Sequence, residues 1–311
     1  MKFITLYHLI FLVKIKFIMK VCIIGNNLTG LVLAKALVNK EIFVDIFYKN
    51  KKINIDKTRT IGISKSNIDY FNNNISNINK ILWPIKDIKI YTENSGEKEI
   101  IRFENKKKTL FSIMKNEEIF NKLNIELKKN KFCKFKKDIG YKNFNENNND
   151  LIINCDSKNE IAKKFFFKKI EKNYNSKAIT TIIDHKKLES NNTAFQVFTK
   201  KGPIAFLPIS SHRTSIVYSM RTKKFETEFN LKNFIKKLNF NYEIKKIDKI
   251  SKFNLSSLNL RKYYKDNILA FGDLLHKIHP LAGQGFNMSI RDIRNLLEII
   301  NNKLVLGLPL D

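Results

Sequence analysis

Two stretches of this chain set glycines among polar side chains at spacings that could hold an anionic group. The first is Gly25-Asn26-Asn27-Leu28-Thr29-Gly30, between a short apolar run and a helical pattern. A GxGxxG turn in that setting lets a pyrophosphate approach the backbone and rest on a helix N-terminus. Gly25 and Gly30 fill the outer positions, and Asn27 stands at the middle one. Asparagine tolerates positive φ better than most residues, although its side chain crowds the space a phosphate would use. The second stretch is "GDLLHKIHPLAGQGFNMSIRD", residues 272–292, with Gly272, Gly283 and Gly285 around Pro280, His276 and His279. Glycines ahead of a helix leave amide N–H groups aimed at an anion, with the helix dipole behind them.

The elements that position these residues can be read from periodicity. "KVCIIG" (20–25) has the continuous apolar character of a buried parallel strand, and Leu31, Ala34, Leu37 and Val38 recur at helical spacing behind it. "IFVDIF" (42–47) follows, so strand, glycine turn, helix and strand form a βαβ unit. An acidic residue should close its second strand to hold ribose hydroxyls; Tyr48 stands there, and Asp45 faces away. Residues 83–103 read as a hairpin around Asn94–Gly96, 116–130 as an amphipathic helix and 150–156 as a buried strand. Residues 193–220 hold three strand-like runs, and helical spacing returns in "NLKNFIKKLNF". "NILAFGD" (267–273) is a last strand leading into the glycine loop. A helix then begins near Asn287, with Met288, Ile290, Ile293, Leu297 and Ile300 on its core face. The asparagine run at 143–150 reads as a solvated turn.

The 311 residues are 43% hydrophobic and 28% charged, a globular composition large enough for one or two cores. The formal charge of +29 raises nucleic acid or an anionic membrane as partner. The lysines are spread along the whole chain, and no helix-turn-helix, zinc-finger or RNA-binding signature accompanies them, so no nucleic-acid partner is expected. Cys22, Cys133 and Cys155 lack CxxC spacing, which excludes a disulfide framework or zinc site and fits a reducing compartment; Cys22 and Cys155, in apolar runs, read as core residues. Residues 1–18 are apolar but short and lysine-interrupted; "MKVCIIGNN" from Met19 reads as a natural start, so 1–18 are expected outside the fold.

The segment from Gly272 to Asp292 resembles the signature of the flavoprotein aromatic hydroxylases, nearest to the ubiquinone-biosynthesis hydroxylases among them. The likeness runs through Gly272, Asp273, His276, His279, Pro280, Gly283, Gln284, Gly285, Asn287, Arg291 and Asp292. "RTIGISKSNIDYF" (59–71) resembles the family's Arg-x-x-x-x-Ser motif, with Arg59 near the flavin. Asp156 remains of a further acidic-glycine motif, in which Ser157 replaces the glycine. The resemblance implies an α/β fold: a Rossmann-like FAD-binding domain (19–80, 104–165 and 260–311) with an inserted, mostly antiparallel sheet forming a substrate domain (81–103 and 166–259). It places Gly25, Asn27 and Gly30 at the pyrophosphate and Asp273 at the ribityl chain. Pro280, Gly283, Gln284, Gly285 and Asn287 fall at the flavin ring, whose reduced form is negative along its N1–C2 edge. His276 and His279 are expected in turn and capping roles, Trp83 in the core, and no catalytic side chain is assigned.

The activity so implied is FAD-dependent monooxygenation. NAD(P)H reduces the flavin, O₂ adds as a C4a-hydroperoxide, and oxygen passes to the ring of a polyprenylated phenol in ubiquinone biosynthesis. Such a substrate implies a cytoplasmic protein with peripheral contact at the inner face of the membrane, where "KKFFFKK" (163–169) pairs phenylalanines with lysines, unless that stretch is a buried helix segment, the other reading it allows. Other ubiquinone-biosynthesis proteins are then expected partners. Two alternatives stay open: a hydroxylase of a small soluble aromatic acid, and a reduced, non-catalytic relative serving as a subunit or scaffold of a quinone-biosynthesis assembly. Asn27, Tyr48 and Ser157 speak for the last.

Overall fold

The computed structural model describes residues 19–49, 55–96, 98–105, 108–137, 149–221, 227–278 and 284–310. Residues 1–18 and most of the asparagine run lie outside it, as do His279, Pro280 and Gly283.

A six-stranded sheet carries the first glycine turn. Its order is β16 (Tyr264–Lys265), β17 (Ile268–Ala270), β9 (Leu151–Asn154), β1 (Lys20–Ile24), β2 (Phe43–Tyr48) and β8 (Cys133–Lys137). All neighbours run parallel except β16 and β17. The side chains of β1 alternate between two cores, as strand geometry requires. Val21 and Ile23 pack with helix α1 (Leu28–Val38), α3 (Asn116–Lys128) and α6 (Gln284–Val305). Cys22 and Ile24 pack on the opposite face with Ile161 and Ala162 of the short helix α4 (Glu160–Phe165). Because α1 lies between the sheet and two other helices, it is apolar nearly all round.

A second sheet has nine strands: β5 (Asp87–Thr92), β6 (Ile101–Glu104), β10 (Lys169–His185), β11 (Thr193–Thr199), β12 (Gly202–Pro208), β13 (Arg213–Arg221), β14 (Ile244–Ile247), β15 (Ser251–Leu260) and β18 (His276–Lys277). It is antiparallel except where β5 joins β11. The 17-residue β10 is its spine. Helix α5 (Glu228–Leu238) covers one face through Leu231, Ile235 and Leu238, over Phe195, Phe206 and Tyr218. A small sheet of β3 (Thr60–Ser64), β4 (Trp83–Ile85) and β7 (Phe111–Lys115), with helix α2 (Lys65–Asn74) following β3, meets the other face. Two hydroxyl contacts fasten it there: the buried Thr58 Oγ1 to Thr180 Oγ1 at 2.7 Å and the partly buried Thr60 Oγ1 to Ser215 Oγ at 2.9 Å.

Three expectations change. The hairpin at 83–103 is shorter than the sequence suggests. Only β5 and β6 pair around Asn94–Gly96, while β4 leaves to pair with β7. Helix α6 begins at Gln284, three residues before Asn287. The 163–169 stretch is neither all helix nor all surface, for Phe166 is buried beneath α4 while Phe167 is exposed. Among the described residues, no helix is long and apolar enough to cross a membrane.

Candidate functional site

The carboxyl ends of β17, β9 and β1 lie side by side, and the loops leaving them are tied together. Gly25 N–H donates to Phe47 O at 2.8 Å, Cys155 N–H to Ile24 O at 2.8 Å, and Phe271 N–H to Asn154 O at 2.9 Å. Gly25 has φ +106°, a region that glycine enters without a Cβ penalty. A Cβ on Gly30 would stand 2.4 Å from Gly25 O, so this residue lets α1 close onto the strand before it. Gly272 has φ +62°, and a Cβ there would meet Thr29 Cγ2 at 2.9 Å. The two glycine stretches, some 240 residues apart in sequence, therefore touch at the first turn of α1.

Asn27 is the departure from a glycine turn, and its side chain is fully engaged. Its Oδ1 accepts from Gly30 N–H at 2.9 Å, and its Nδ2 donates to Cys155 O at 2.7 Å. It is the N-cap of α1, so one amide of the first turn is already satisfied, while the N–H groups of Leu28 and Thr29 remain for an anion. No acidic side chain occupies that turn to offset its positive end. Asp273 is exposed beside it. Cys155 is buried in the same place; burial first, then the Asp273 and Asp156 carboxylates, push its thiol pKa well above the ordinary value, so it stays a neutral packing group. Tyr48 closes β2, as expected. The nearest acid, Asp45, is buried and paired with Lys136 at 2.8 Å and Lys20 at 3.2 Å, so it is committed to the protein itself.

The second half of the site is the start of α6. Gln284 and Gly285 are exposed, the first turn holds no acid, and among the described residues a Cβ on Gly285 would meet nothing within 4 Å. Asn287 anchors this end. Its Nδ2 donates to Gly62 O at 2.8 Å, and its Oδ1 accepts from Ser64 N–H at 3.1 Å and Asn67 Nδ2 at 2.8 Å. His276 anchors the chain ahead of residues 279–283, its Nε2 lying 3.0 Å from Asp292 Oδ2 on α6. Arg59 is exposed at the other end of β3, its guanidinium 5.4 Å above the Phe253 ring. Ser64, its motif partner, caps α2. Thus Gly25, Asn27, Gly30 and Asp273 form one group, and Gln284, Gly285 and Asn287 a second; Arg59 belongs to the sheet face, and Pro280, Gly283 and His279 lie outside the described residues. Thr29, Asn67 and Asn154 also build the site and went unnoticed in the sequence; in so asparagine-rich a chain another Asn carries no signal.

The fit to FAD can be judged on these observations. Two helix starts without acidic first turns and close-packed glycines at the carboxyl edge of a parallel sheet suit a long dianionic cofactor. The open flank at Gly285 suits a flat ring, and only the ribose carboxylate is lacking. The FAD binding domain family matches residues 150–305.

The chain belongs to that family.

Relatives and solved structures agree with it. The human ubiquinone biosynthesis monooxygenase COQ6, mitochondrial, is 27% identical over 187 residues, which cover 47% of this chain and 40% of that protein. The 3-demethoxyubiquinol 3-hydroxylase of Escherichia coli is 28% identical over 125 residues, covering 37% of this chain and 31% of that protein. These matches span well under half the length of either relative. In three dimensions, PqsL of Pseudomonas aeruginosa superimposes with a TM-score of 0.73 at 14% identity, over 92% of this chain and 86% of the other. Klebsiella pneumoniae HpxO, solved with FAD and uric acid, gives 0.69 at 14% identity over 88% and 78%. The fold is thus a Rossmann-like FAD domain with a mostly antiparallel sheet beside it.

Proposed function

We propose that this chain is an FAD-dependent aromatic monooxygenase that uses NAD(P)H and O₂ to hydroxylate a polyprenylated phenol on the route to ubiquinone. The observation that carries the reading is the glycine turn of Gly25, Gly30 and Gly272 at the carboxyl edge of the parallel sheet. Bound there, FAD would supply the two-electron and oxygen chemistry, which no side chain of the protein provides. The protein's part is placement. The Leu28 and Thr29 amides and the positive end of α1 would hold the pyrophosphate, and Asp273 would take the ribityl hydroxyls. The start of α6, held by Asn287, would face the ring with its first N–H groups.

The substrate class is supported by the face of the nine-stranded sheet opposite α5, beside the small sheet that meets it. Ile90, Ala205 and Val217 share that face by register and are only half-buried, in keeping with an apolar ligand, with Gln196 between Ile90 and Ala205 the polar member of the row. The relatives named for ubiquinone biosynthesis point the same way. A second reading, a non-catalytic family member in a quinone-biosynthesis assembly, draws on Asn27, whose side chain occupies the amide a phosphate would take, and on Tyr48.

The visible spectrum of the purified protein, titrated with FAD, separates the two. Flavin bands saturating at one equivalent, followed by NADH or NADPH oxidation that rises with a prenylated phenol, are expected. Folded protein that binds no flavin would overturn the enzyme reading. Faster turnover with 4-hydroxybenzoate than with the prenylated phenol would move the substrate to small aromatic acids.

A further inference from the structure

We infer that the exposed strip formed by Phe167–Ile170 and Arg261–Tyr264 is a docking face for an anionic phospholipid surface. The two segments are distant in sequence and adjacent in space. Lys169 pairs with Leu260 and Ile170 with Asn259 where β10 meets β15, and Arg261 N–H donates to Lys168 O at 2.9 Å. Four large apolar side chains stand in solvent along this seam: Phe167 at 61% exposure, Ile170 at 57%, Tyr263 at 49% and Tyr264 at 58%. Tyr263 and Tyr264 meet edge to face with ring centres 6.0 Å apart. Exposed aromatic and aliphatic groups cost free energy in water and gain it at the boundary between headgroups and acyl chains.

Charge selects the occupant. Lys168, Arg261 and Lys262 have no carboxylate partner among the described residues, and Lys262 lies 6.0 Å above the Tyr264 ring. The acids of the strip are neutralised: Glu171 pairs with Lys169 at 2.9 Å, and Asp266 pairs with Lys265. The strip therefore offers apolar side chains ringed by unpaired cations, which suits a negatively charged leaflet. A contrast lies on β6, where Ile101 and Phe103 are equally exposed but Arg102 is tied to Asp87 and Glu104. That strand has apolar side chains, and its own cation is paired. The docking strip also borders the flavin segment, since Leu260 N–H donates to Leu275 O at 3.0 Å.

The test is co-sedimentation of the full chain with phosphatidylcholine vesicles, with and without phosphatidylglycerol. Binding is expected only with phosphatidylglycerol, and it should weaken as salt rises. Lys168→Glu with Arg261→Glu should lower it at least about twenty-five-fold, at about fivefold for each cation removed. Phe167→Ser with Tyr264→Ser should lower it about tenfold. The controls Lys128→Glu with Lys129→Glu on α3, and Ile101→Ser with Phe103→Ser on β6, should bind as the parent does. A Phe167→Trp chain should show a blue-shifted emission on phosphatidylglycerol vesicles, read after subtracting Trp83. The inference is overturned if phosphatidylglycerol vesicles are not bound, or if the α3 reversal weakens binding as much as the strip reversal. Single-stranded RNA that displaces the vesicles through Tyr263 and Tyr264 while the emission stays unshifted would also overturn it. Flavin content is read on the same samples, so failure here leaves the cofactor reading untouched.

Discussion

The turn at Gly25–Gly30 and the start of α6 both put glycine at the head of a helix, for opposite reasons. At the turn the protein itself needs it: a Cβ on Gly30 would strike Gly25 O at 2.4 Å, and Gly272 next door has φ +62° and a methyl group of Thr29 at 2.9 Å. At Gly285 nothing among the described residues lies within 4 Å, and α6 has already begun. A glycine there costs the helix about 0.5–1 kcal/mol relative to alanine. The first kind would persist in a protein that had lost its cofactor, because the sheet could not close without it. The second kind has no such protection. Gly285 thus adds a separate line of evidence for a ligand to that of the turn, whose middle position has become Asn27.

The largest expected effect is on the protein-required side. Gly30→Ala forces backbone apart from backbone and should destabilise by about 3 kcal/mol or more, with Gly272→Ala near 2 kcal/mol. Urea unfolding of flavin-free protein measures both. If Gly30→Ala unfolds at the parental midpoint, the close packing at this turn is wrong. Asn287→Ala comes next. It strips partners from Gly62 O, Ser64 N–H and Asn67, and should cost about 2 kcal/mol in the absence of any ligand.

Gly285→Ala inverts the pattern and bears on the comparison most directly. Flavin-free protein should gain about 0.5–1 kcal/mol, while FAD affinity falls about tenfold as the new methyl group meets the ring. Affinity unchanged by this substitution would mean that the glycine serves no ligand. Asn27→Gly sharpens the other side. It releases the Gly30 amide and removes the side chain from the turn, so affinity should rise severalfold while stability drops by about 1 kcal/mol through the lost bond to Cys155 O.

How far the sequence reached depended on whether a pattern was local. The β1–α1–β2 unit was legible because continuous burial leaves continuous apolar runs, and the α6 core face because Ile290, Ile293, Leu297 and Ile300 recur at helical spacing and are all buried. The start of α6 was misread because Gln284 and Gly285 carry no periodic signal. Non-local pairing was invisible. Nothing in "LWPIKDIKI" says that Trp83–Ile85 pairs with β7 while Asp87–Thr92 runs parallel to β11, a hundred residues onward. The same limit hid half of the docking strip. Phe167 and its lysines stood out in sequence, but only the register of Lys169 with Leu260 brings Arg261 to Tyr264 beside them.

The smallest prediction tests whether the protein-explained class extends beyond glycines. His185 is buried in the nine-stranded sheet, between Lys186 O at 2.8 Å and Thr214 Oγ1 at 3.0 Å. Burial, helped by the nearby His212, holds its pKa below the ordinary 6.5 against the opposing hydrogen bond to Lys186 O. The unfolded chain then takes up this proton at a higher pH than the native one does. His185 therefore contributes fully above about pH 6.5, and its contribution is lost as pH falls from there through the native value. Unfolding midpoints should decline over that window in the parent and decline less in His185→Gln. Because every partner of this imidazole belongs to the protein, the slope should be the same with and without FAD. A slope that flattens when flavin binds would mean that the sheet and the cofactor cradle are energetically coupled, and that no residue of this fold can be assigned to the protein alone.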